Sequence, residues 1–387
     1  MNRRERLMAT LSGEPVDRLA VNLYEIGGLV MDPNDPDRFN VYNDPSWKPL
    51  LDLAENHTDL IRMRSPVRAQ SHRAWDDQSD GKSLRDEFFK VQNSEENGNK
   101  ITRITLTVGG RTMTTTTKRE PDVDTVWTTE HLLKSKDDLL AYLQLPDEVF
   151  AENIDIAPFL QEEEKLGYRG IVMVDTEDPV CAAATLFSME DFTILALTEQ
   201  DLFHRLLQKL SKQIWLRTEK VSAQLPGRLW RIYGPEFTCE PYLPPKLFEE
   251  YVVKYTGPMV KMIKKHGGFA RIHCHGKIKN VLDHIVGMGA DAIDPVEPSP
   301  QGDVSLTYVR EKYGEKLVLF GNIEVSDIEN LPTGEFAELV DRTLDEIAAT
   351  SGRGCVLMPS ASPFGRKITP LTLQNYETLV KKVTLQG

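Results

Sequence analysis

Cysteine is scarce: the 387-residue chain has four, Cys181, Cys239, Cys274 and Cys355, widely scattered. That spacing in a chain this long excludes the disulfide framework that staples small secreted domains. Long apolar runs are also missing, and nothing approaches the roughly eighteen residues of a membrane-spanning helix. Positive charge is in deficit, with 46 Lys and Arg against 59 Asp and Glu and a formal net charge of −13. No Lys/Arg-rich stretch of useful length occurs. A protein that tracks phosphates needs a basic face, so nucleic acid and anionic membrane surfaces are poor partners. The opening Met1-Asn2-Arg3-Arg4-Glu5-Arg6-Leu7 is charged, with no apolar stretch behind it, unlike a secretory signal. Internal repeats and low-complexity tracts are absent, and no Pro/Gly/Ser linker divides the chain. The expectation is a soluble, acidic, cytoplasmic protein.

What the chain does have is apolar content. Hydrophobic residues make up 40% and charged residues 27%, enough for a sizeable core. A rhythm recurs along it: a short apolar run, a Gly/Pro/acidic turn, then an amphipathic helical stretch. Strands are expected at 19–23, 60–64, 171–174, 228–232, 269–272, 290–293, 317–320 and 355–358. Helices are expected at 3–11, 202–224, 245–265, 278–288, 336–349 and 371–383. Strands alternating with helices in this number predict a (β/α)8 TIM barrel spanning 1–387 as a single domain. Residues 65–146 break the rhythm. There Lys100-Ile-Thr-Arg-Ile-Thr-Leu-Thr-Val and Thr112-Met-Thr-Thr-Thr-Thr flank Gly109-Gly110 with period-two alternation. This predicts a small β-rich insertion after the second strand, a hairpin or meander lying over one barrel end. A separate small domain is the alternative.

Barrel active sites collect at the C-terminal ends of the strands. Following each expected strand gives Tyr24 and Glu25, Arg62 and Arg64, then Asp175, Glu177 and Asp178. Next come Glu236, His273-Cys274-His275-Gly276, Asp294 with Glu297, Asn322, and Ser360 with Ser362. Residues two apart on a strand project to one side, so His273 and His275 can reach a common metal while Cys274 points away. Glu236 is the first choice of third ligand, with Cys239 and Glu297 behind it. Two imidazoles and a carboxylate form a catalytic zinc set with an open position. Three look-alikes carry less. Asp283-His284 falls inside a helix pattern, Glu162-Glu163-Glu164 reads as a solvated helix face, and Cys355 opens an apolar strand as a core residue.

Several segments are similar to one family. Arg3–Val21 resembles the opening of the uroporphyrinogen decarboxylase superfamily. So do Ile272-His-Cys-His-Gly, the run 288–304, Tyr313-Gly-Glu-Lys-Leu-Val-Leu-Phe-Gly-Asn-Ile and Leu357-Met-Pro-Ser-Ala-Ser-Pro. The resemblance implies a (β/α)8 barrel in a group holding the tetrapyrrole decarboxylase and zinc-dependent, corrinoid-linked methyltransferases. The decarboxylase's Arg-rich N-terminal segment is replaced here by Asn22-Leu-Tyr-Glu-Ile-Gly-Gly, and its His after the last strand is missing. Of the methyltransferases' His-Cys-Cys zinc set, His273 matches, while His275 and Ala361 stand where the thiols belong. A His-His-Glu centre is harder and net positive, which favours oxygen ligands.

The resemblance therefore implies a zinc-dependent methyltransferase. It would move a methyl group between a small oxygen-containing substrate and a corrinoid carried by a separate protein. A metal-assisted decarboxylase or lyase on a small organic acid is the alternative, and a non-catalytic binding barrel is a third. His273, His275 and Glu236 would hold the metal, and Glu297, Asp303 and Asn322 would orient substrate or move protons. Tyr24, Glu25, Arg62, Arg64 and Ser360 would bind substrate. With only Arg62 and Arg64 as evident cations, uroporphyrinogen-like polyacids are expected to bind poorly.

Overall fold

The computed structural model describes residues 1–29, 31–32, 34–68, 84–314, 317–349 and 354–384. Eight parallel strands share one sheet. They are β1 (Ala20–Val21), β2 (Leu60–Arg64), β3 (Gly170–Glu177), β4 (Leu229–Tyr233), β5 (Phe269–His273), β6 (Ala292–Asp294), β7 (Val318–Ile323) and β8 (Cys355–Pro359). Each pairs with the next from β2 to β8, and β8 pairs with β1. The remaining seam is closed where the Asp59 N–H donates to the Val21 carbonyl at 2.7 Å. Beside it the fully buried Asp59 carboxylate accepts from Arg6 at 2.6 Å, Arg18 at 2.9 Å and the Val21 N–H at 3.0 Å. A carboxylate taken from water needs this many partners. The fold is the expected (β/α)8 barrel.

Alternation along each strand sorts the side chains. Ile61, Ile171, Met173, Leu229, Ala292, Val318, Phe320, Val356 and Met358 form one apolar cluster with Leu7 and Leu11. That is the barrel interior, and the helix Arg3–Leu11 plugs one end of it. A capping box fixes the helix start: the Asn2 side chain accepts the Glu5 N–H while the Glu5 carboxylate accepts the Asn2 N–H. Outward-facing residues such as Val172, Trp230, Ile232, Ile272, Ile293 and Leu319 pack with the surrounding helices in a second, larger core.

All eight expected strands overlap observed ones. The helix expected over 245–265 is built as Pro245–Phe248, a π-helical turn Glu249–Val253 and Lys254–Lys265. That expected over 278–288 is shorter, Leu282–Gly287. Among the described residues no helix is long and apolar enough to cross a membrane.

The insertion between β2 and β3 contains a four-stranded antiparallel meander of Phe89–Glu96, Asn99–Val108, Arg111–Arg119 and Val126–Glu130. Its central hairpin turns at Gly109-Gly110 with φ of 59° and 75°. Two consecutive positive φ values are what a tight hairpin turn needs and glycine supplies at least cost. A short ribbon, Val67–Arg68 with Asn153–Ile154, ties the insertion's ends together. Residues 69–83 of the expected insertion lie outside the described residues.

Candidate active site

The strand phase that points Ile171 and Leu229 inward puts charged residues on the same inner face further along. On β5, Arg271 precedes His273 by two. The Arg271 guanidinium forks onto Asp294 of β6, with Nε to Oδ1 at 2.5 Å and a terminal nitrogen to Oδ2 at 2.7 Å. Asp294 also meets His273 Nδ1 at 2.7 Å. Burial alone would raise the Asp294 pKa, but Arg271 and His273 reverse this and hold the carboxyl well below the usual range. Burial lowers the His273 pKa. An ionised Asp294 therefore fixes a neutral imidazole with its proton on Nδ1.

One strand over, Arg231 of β4 forks onto Asp175 of β3 at 2.6 and 3.3 Å and bonds the Tyr24 hydroxyl. Arg231 and Arg271 are register partners. Asp175, Arg231, Arg271 and Asp294 thus line four adjacent strands, and each guanidinium is neutralised by a carboxylate.

Above this row, His275 Nδ1 meets Glu297 Oε1 at 2.7 Å, and the other Glu297 oxygen accepts the Gly276 N–H at 2.6 Å. The His273 and His275 rings stand 4.5 Å apart at 89°. Burial works against a proton on His275, but the bond to Glu297 and the charges of Glu297, Glu236 and Asp294 outweigh it, so the pKa rises. The mouth thus favours the protonated form of His275.

The ends of β7 and β8 supply the rest. The Ser360 hydroxyl donates to Glu324 Oε2 at 3.0 Å and accepts the Val325 N–H at 3.2 Å. Burial, reinforced by the charge of Glu297, raises the Glu324 pKa to about 7. Glu324 Oε1, Asn322 Oδ1 and Ser362 Oγ are buried and have no hydrogen-bond partner. Gly321, next to Asn322, sits at φ 143°, and a Cβ there would lie 1.8 Å from the Pro295 carbonyl oxygen. Only glycine lets the loop after β6 press this closely on β7.

The structure brings only some of the expected residues together. Tyr24, His273, His275, Glu297, Asn322 and Ser360 belong to the mouth, and Glu25 approaches Arg231 at 3.7 Å. Glu236 lies on the turn after β4, where one carboxylate oxygen accepts the Gly234 N–H at 3.1 Å. Asp303 accepts the Lys279 N–H at 3.0 Å and braces two loops. Arg62 and Arg64 do not reach the mouth, because Ile61 and Met63 take the inward positions of β2. Arg62 is bound instead by Glu55 at 2.9 Å, by Glu162 and by the Gly27 carbonyl, and Arg64 by Glu162 at 3.3 Å. Glu163 pairs with Arg228 at 2.8 Å, so two of the three consecutive acids 162–164 are engaged in ion pairs and do not form a purely solvated face. Asp283 bonds Lys312 and Tyr313 on a helix surface, and Cys355 is buried.

Among the described residues, no three His, Cys, Asp or Glu side chains come together as metal ligands. Both imidazoles give Nδ1 to a carboxylate and present only Nε2. Cys239 and Cys274 pair with each other, Sγ to Sγ 3.5 Å, behind the strand.

Sequence reasoning missed Arg231, Arg271 and Glu324. The phase rule reaches all three: Arg271 is two before His273, Arg231 two before Tyr233, and Glu324 two after Asn322.

A cavity of about 670 Å³ lies between the insertion sheet and the barrel, lined among others by Lys100, Thr102, Thr117 and Arg119 on one side and Glu177 and Tyr233 on the other. Tyr233 is the register partner of His273, so the cavity adjoins the mouth.

Among solved structures, a methyltransferase from Methanosarcina mazei matches over 100% of this chain and 99% of its own, with 16% identity and a TM-score of 0.58. At that identity the likeness speaks for the fold. No curated protein matches. The family model described as uroporphyrinogen decarboxylase (URO-D) matches residues 124–372, which covers more than half of the chain and β3 through β8, and on this ground the chain belongs to the URO-D family.

Proposed function

We propose that the chain is a methyltransferase-type enzyme of the family, in which the β5–β8 mouth binds a small molecule by an ether oxygen and protonates that oxygen as methyl leaves. The observation that carries this is the group of three partnerless buried atoms, Glu324 Oε1, Asn322 Oδ1 and Ser362 Oγ. Each such atom costs about 1–3 kcal/mol. Three at the ends of two adjacent strands mark a place where a ligand completes the bonding. With a pKa of about 7, Glu324 carries its proton below neutrality and still does so in a large share of molecules at it. Because Ser360 donates to Oε2, that proton belongs on Oε1.

In the reaction the C–O bond breaks with its electron pair going to oxygen, and Glu324 passes its proton to that oxygen. The Ser360 hydroxyl then stabilises the carboxylate left behind. His275, whose protonated form Glu297 favours, adds positive potential where negative charge develops when it carries its proton. A reduced corrinoid carried by a separate protein would supply the electron pair for the new bond and so take up the methyl group. The likeness to a methyltransferase supports this direction of chemistry. Decarboxylation of a small acid would call for an uncommitted cation at the mouth, whereas Arg231 and Arg271 are each taken up by a carboxylate. The test is release of free phenol or alcohol from a methyl ether, dependent on cob(I)alamin and lost in Glu324→Gln.

One observation favours a second reading. Imidazoles whose Nδ1 atoms are fixed by carboxylates have the outer support that metal ligands commonly have. In this reading the two Nε2 atoms would hold a zinc ion, and Glu236 would have to move in from the turn after β4 to complete the set. Metal analysis after equilibration with zinc separates the two: about one tightly held ion per chain, lost in His275→Ala, selects the zinc reading.

A further inference from the structure

The insertion sheet turns a row of hydroxyls towards the cavity. Thr117 faces Thr102 on one neighbouring strand and Thr128 on the other, and all three line the cavity. A β-bulge puts Thr128 there. The register shifts between Thr116 and Thr117, so that Glu130 lies opposite Thr116 and Thr128 opposite Thr117. In a regular strand residues 128 and 130 would share a face. Here Glu130 accepts the hydroxyls of Thr114 and Thr116 on the other face, and the bulge re-aims Thr128 into the cavity. Thr102 gives its proton to Asn93 Oδ1 at 2.8 Å and keeps its oxygen as an acceptor. Among the described residues, the Thr117 and Thr128 hydroxyls have no hydrogen-bond partner.

The charged side chains of the lining, by contrast, already have partners. Lys100 stands directly opposite Glu95, Arg119 pairs with Asp124 at 3.2 Å, and Glu177 with Arg217 at 3.0 Å. Arg85 lies over the Phe89 ring, 4.5 Å from its centroid. Ile104, Tyr142 and Phe150 extend the apolar wall. A charged ligand would lose its water here without gaining a counter-ion, which is costly. A neutral ring bearing a hydroxyl suits the lining, because threonine hydroxyls both donate and accept.

We infer that this cavity binds an uncharged, hydroxylated aromatic methyl ether, with its ring against the apolar wall and its hydroxyl on the threonine row. A cavity of about 670 Å³ is of ordinary size for a small-molecule site. The inference rests on the proposed function, since it makes the cavity the place where that enzyme selects its substrate. Tyr233 and Glu177 form the cavity's barrel side, so an ether held there lies next to the mouth. The insertion is then a specificity wall that admits neutral rings and turns acids away.

The test is equilibrium binding by calorimetry, without any corrinoid, of 4-methoxybenzyl alcohol, 4-methoxybenzoate and 4-methoxytoluene. The wild type is expected to bind the alcohol about tenfold or more tighter than the acid, whose charge finds no free counter-ion. Thr117→Val with Thr128→Val exchanges each hydroxyl for a methyl group. The double variant is expected to weaken the alcohol about tenfold and leave 4-methoxytoluene unchanged, with circular dichroism unaltered. Thr128→Val alone, on the edge strand of the sheet, gives the same pattern at about threefold and serves where the double variant fails to fold. Acid that binds the wild type as tightly as the alcohol, or alcohol that does not bind, overturns the inference. So do folded variants that keep the full affinity for the alcohol, or that lose the alcohol and 4-methoxytoluene alike. The two proposals fail separately. Hydroxyl-dependent binding of the alcohol without demethylation sinks the methyl-transfer reading alone, and turnover of charged ethers in preference to the alcohol sinks this one alone.

Discussion

Inside the barrel, the Arg271 guanidinium closes a two-point fork on the Asp294 carboxylate, with side-chain exposures of 2% and 0%. The pair does structural and functional work together. Arg271 keeps Asp294 ionised, and Asp294 then fixes the tautomer of His273. Breaking a buried pair from one side leaves the other charge stranded, at a cost of about 3–5 kcal/mol. Asp294→Ala is therefore expected to lower unfolding free energy by that amount in a denaturant titration. Replacing both partners at once, as Arg271→Met with Asp294→Leu, should cost less than the single change.

The buried carboxyls pull stability in opposite directions with pH. Asp294 is held below its ordinary value, so its contribution is present above that value and is lost as pH falls towards the folded-state pKa. Asp178 and Glu324 are each raised to about 7, mainly by burial. Their contribution is complete below the unfolded values and is lost as pH rises through about 7. Glu324→Gln removes one of these titrations. The variant should match the wild type near pH 4 and exceed it near pH 8 by about 1–2 kcal/mol after allowance for solvent screening. Thermal melts across that range check the sign.

All four cysteines are free and buried. A thiol reagent should react slowly with the native protein and count four groups once it is unfolded. Two groups or fewer after unfolding without reductant would mean that Cys239 and Cys274, 3.5 Å apart, had formed a disulfide.

The barrel was legible because its information is local. Apolar runs of β-branched residues such as Ile171-Val-Met-Val and Cys355-Val-Leu-Met fall at regular intervals, and their period marks strands whatever their partners are. The site was legible as far as strand ends could be located, which is how His273, His275, Glu297, Asn322 and Ser360 were found. What the pattern hides is phase. Arg62 and Arg64 looked like clamps, yet Ile61 and Met63 occupy the inner face and turn both arginines outward to Glu55 and Glu162. Arg231 and Arg271 stand inside apolar strand runs, and their neutralising partners lie on other strands, 56 and 23 residues away. The raised pKa of Glu324 depends on burial and on the charge of Glu297, neither of which is visible in one dimension.

The most direct measurement is single-turnover demethylation of a panel of aromatic and aliphatic methyl ethers with free cob(I)alamin as acceptor, wild type beside Glu324→Gln, from near pH 5 to near pH 9. The expected result is release of free phenol or alcohol by the wild type. Its rate should be flat in acid and decline above about pH 7, as Glu324 loses its proton. In Glu324→Gln the rate should fall by about 10²-fold or more, the usual worth of a positioned general acid, while the ether still binds. No release from any ether, or a Glu324→Gln rate equal to that of the wild type, would contradict the account.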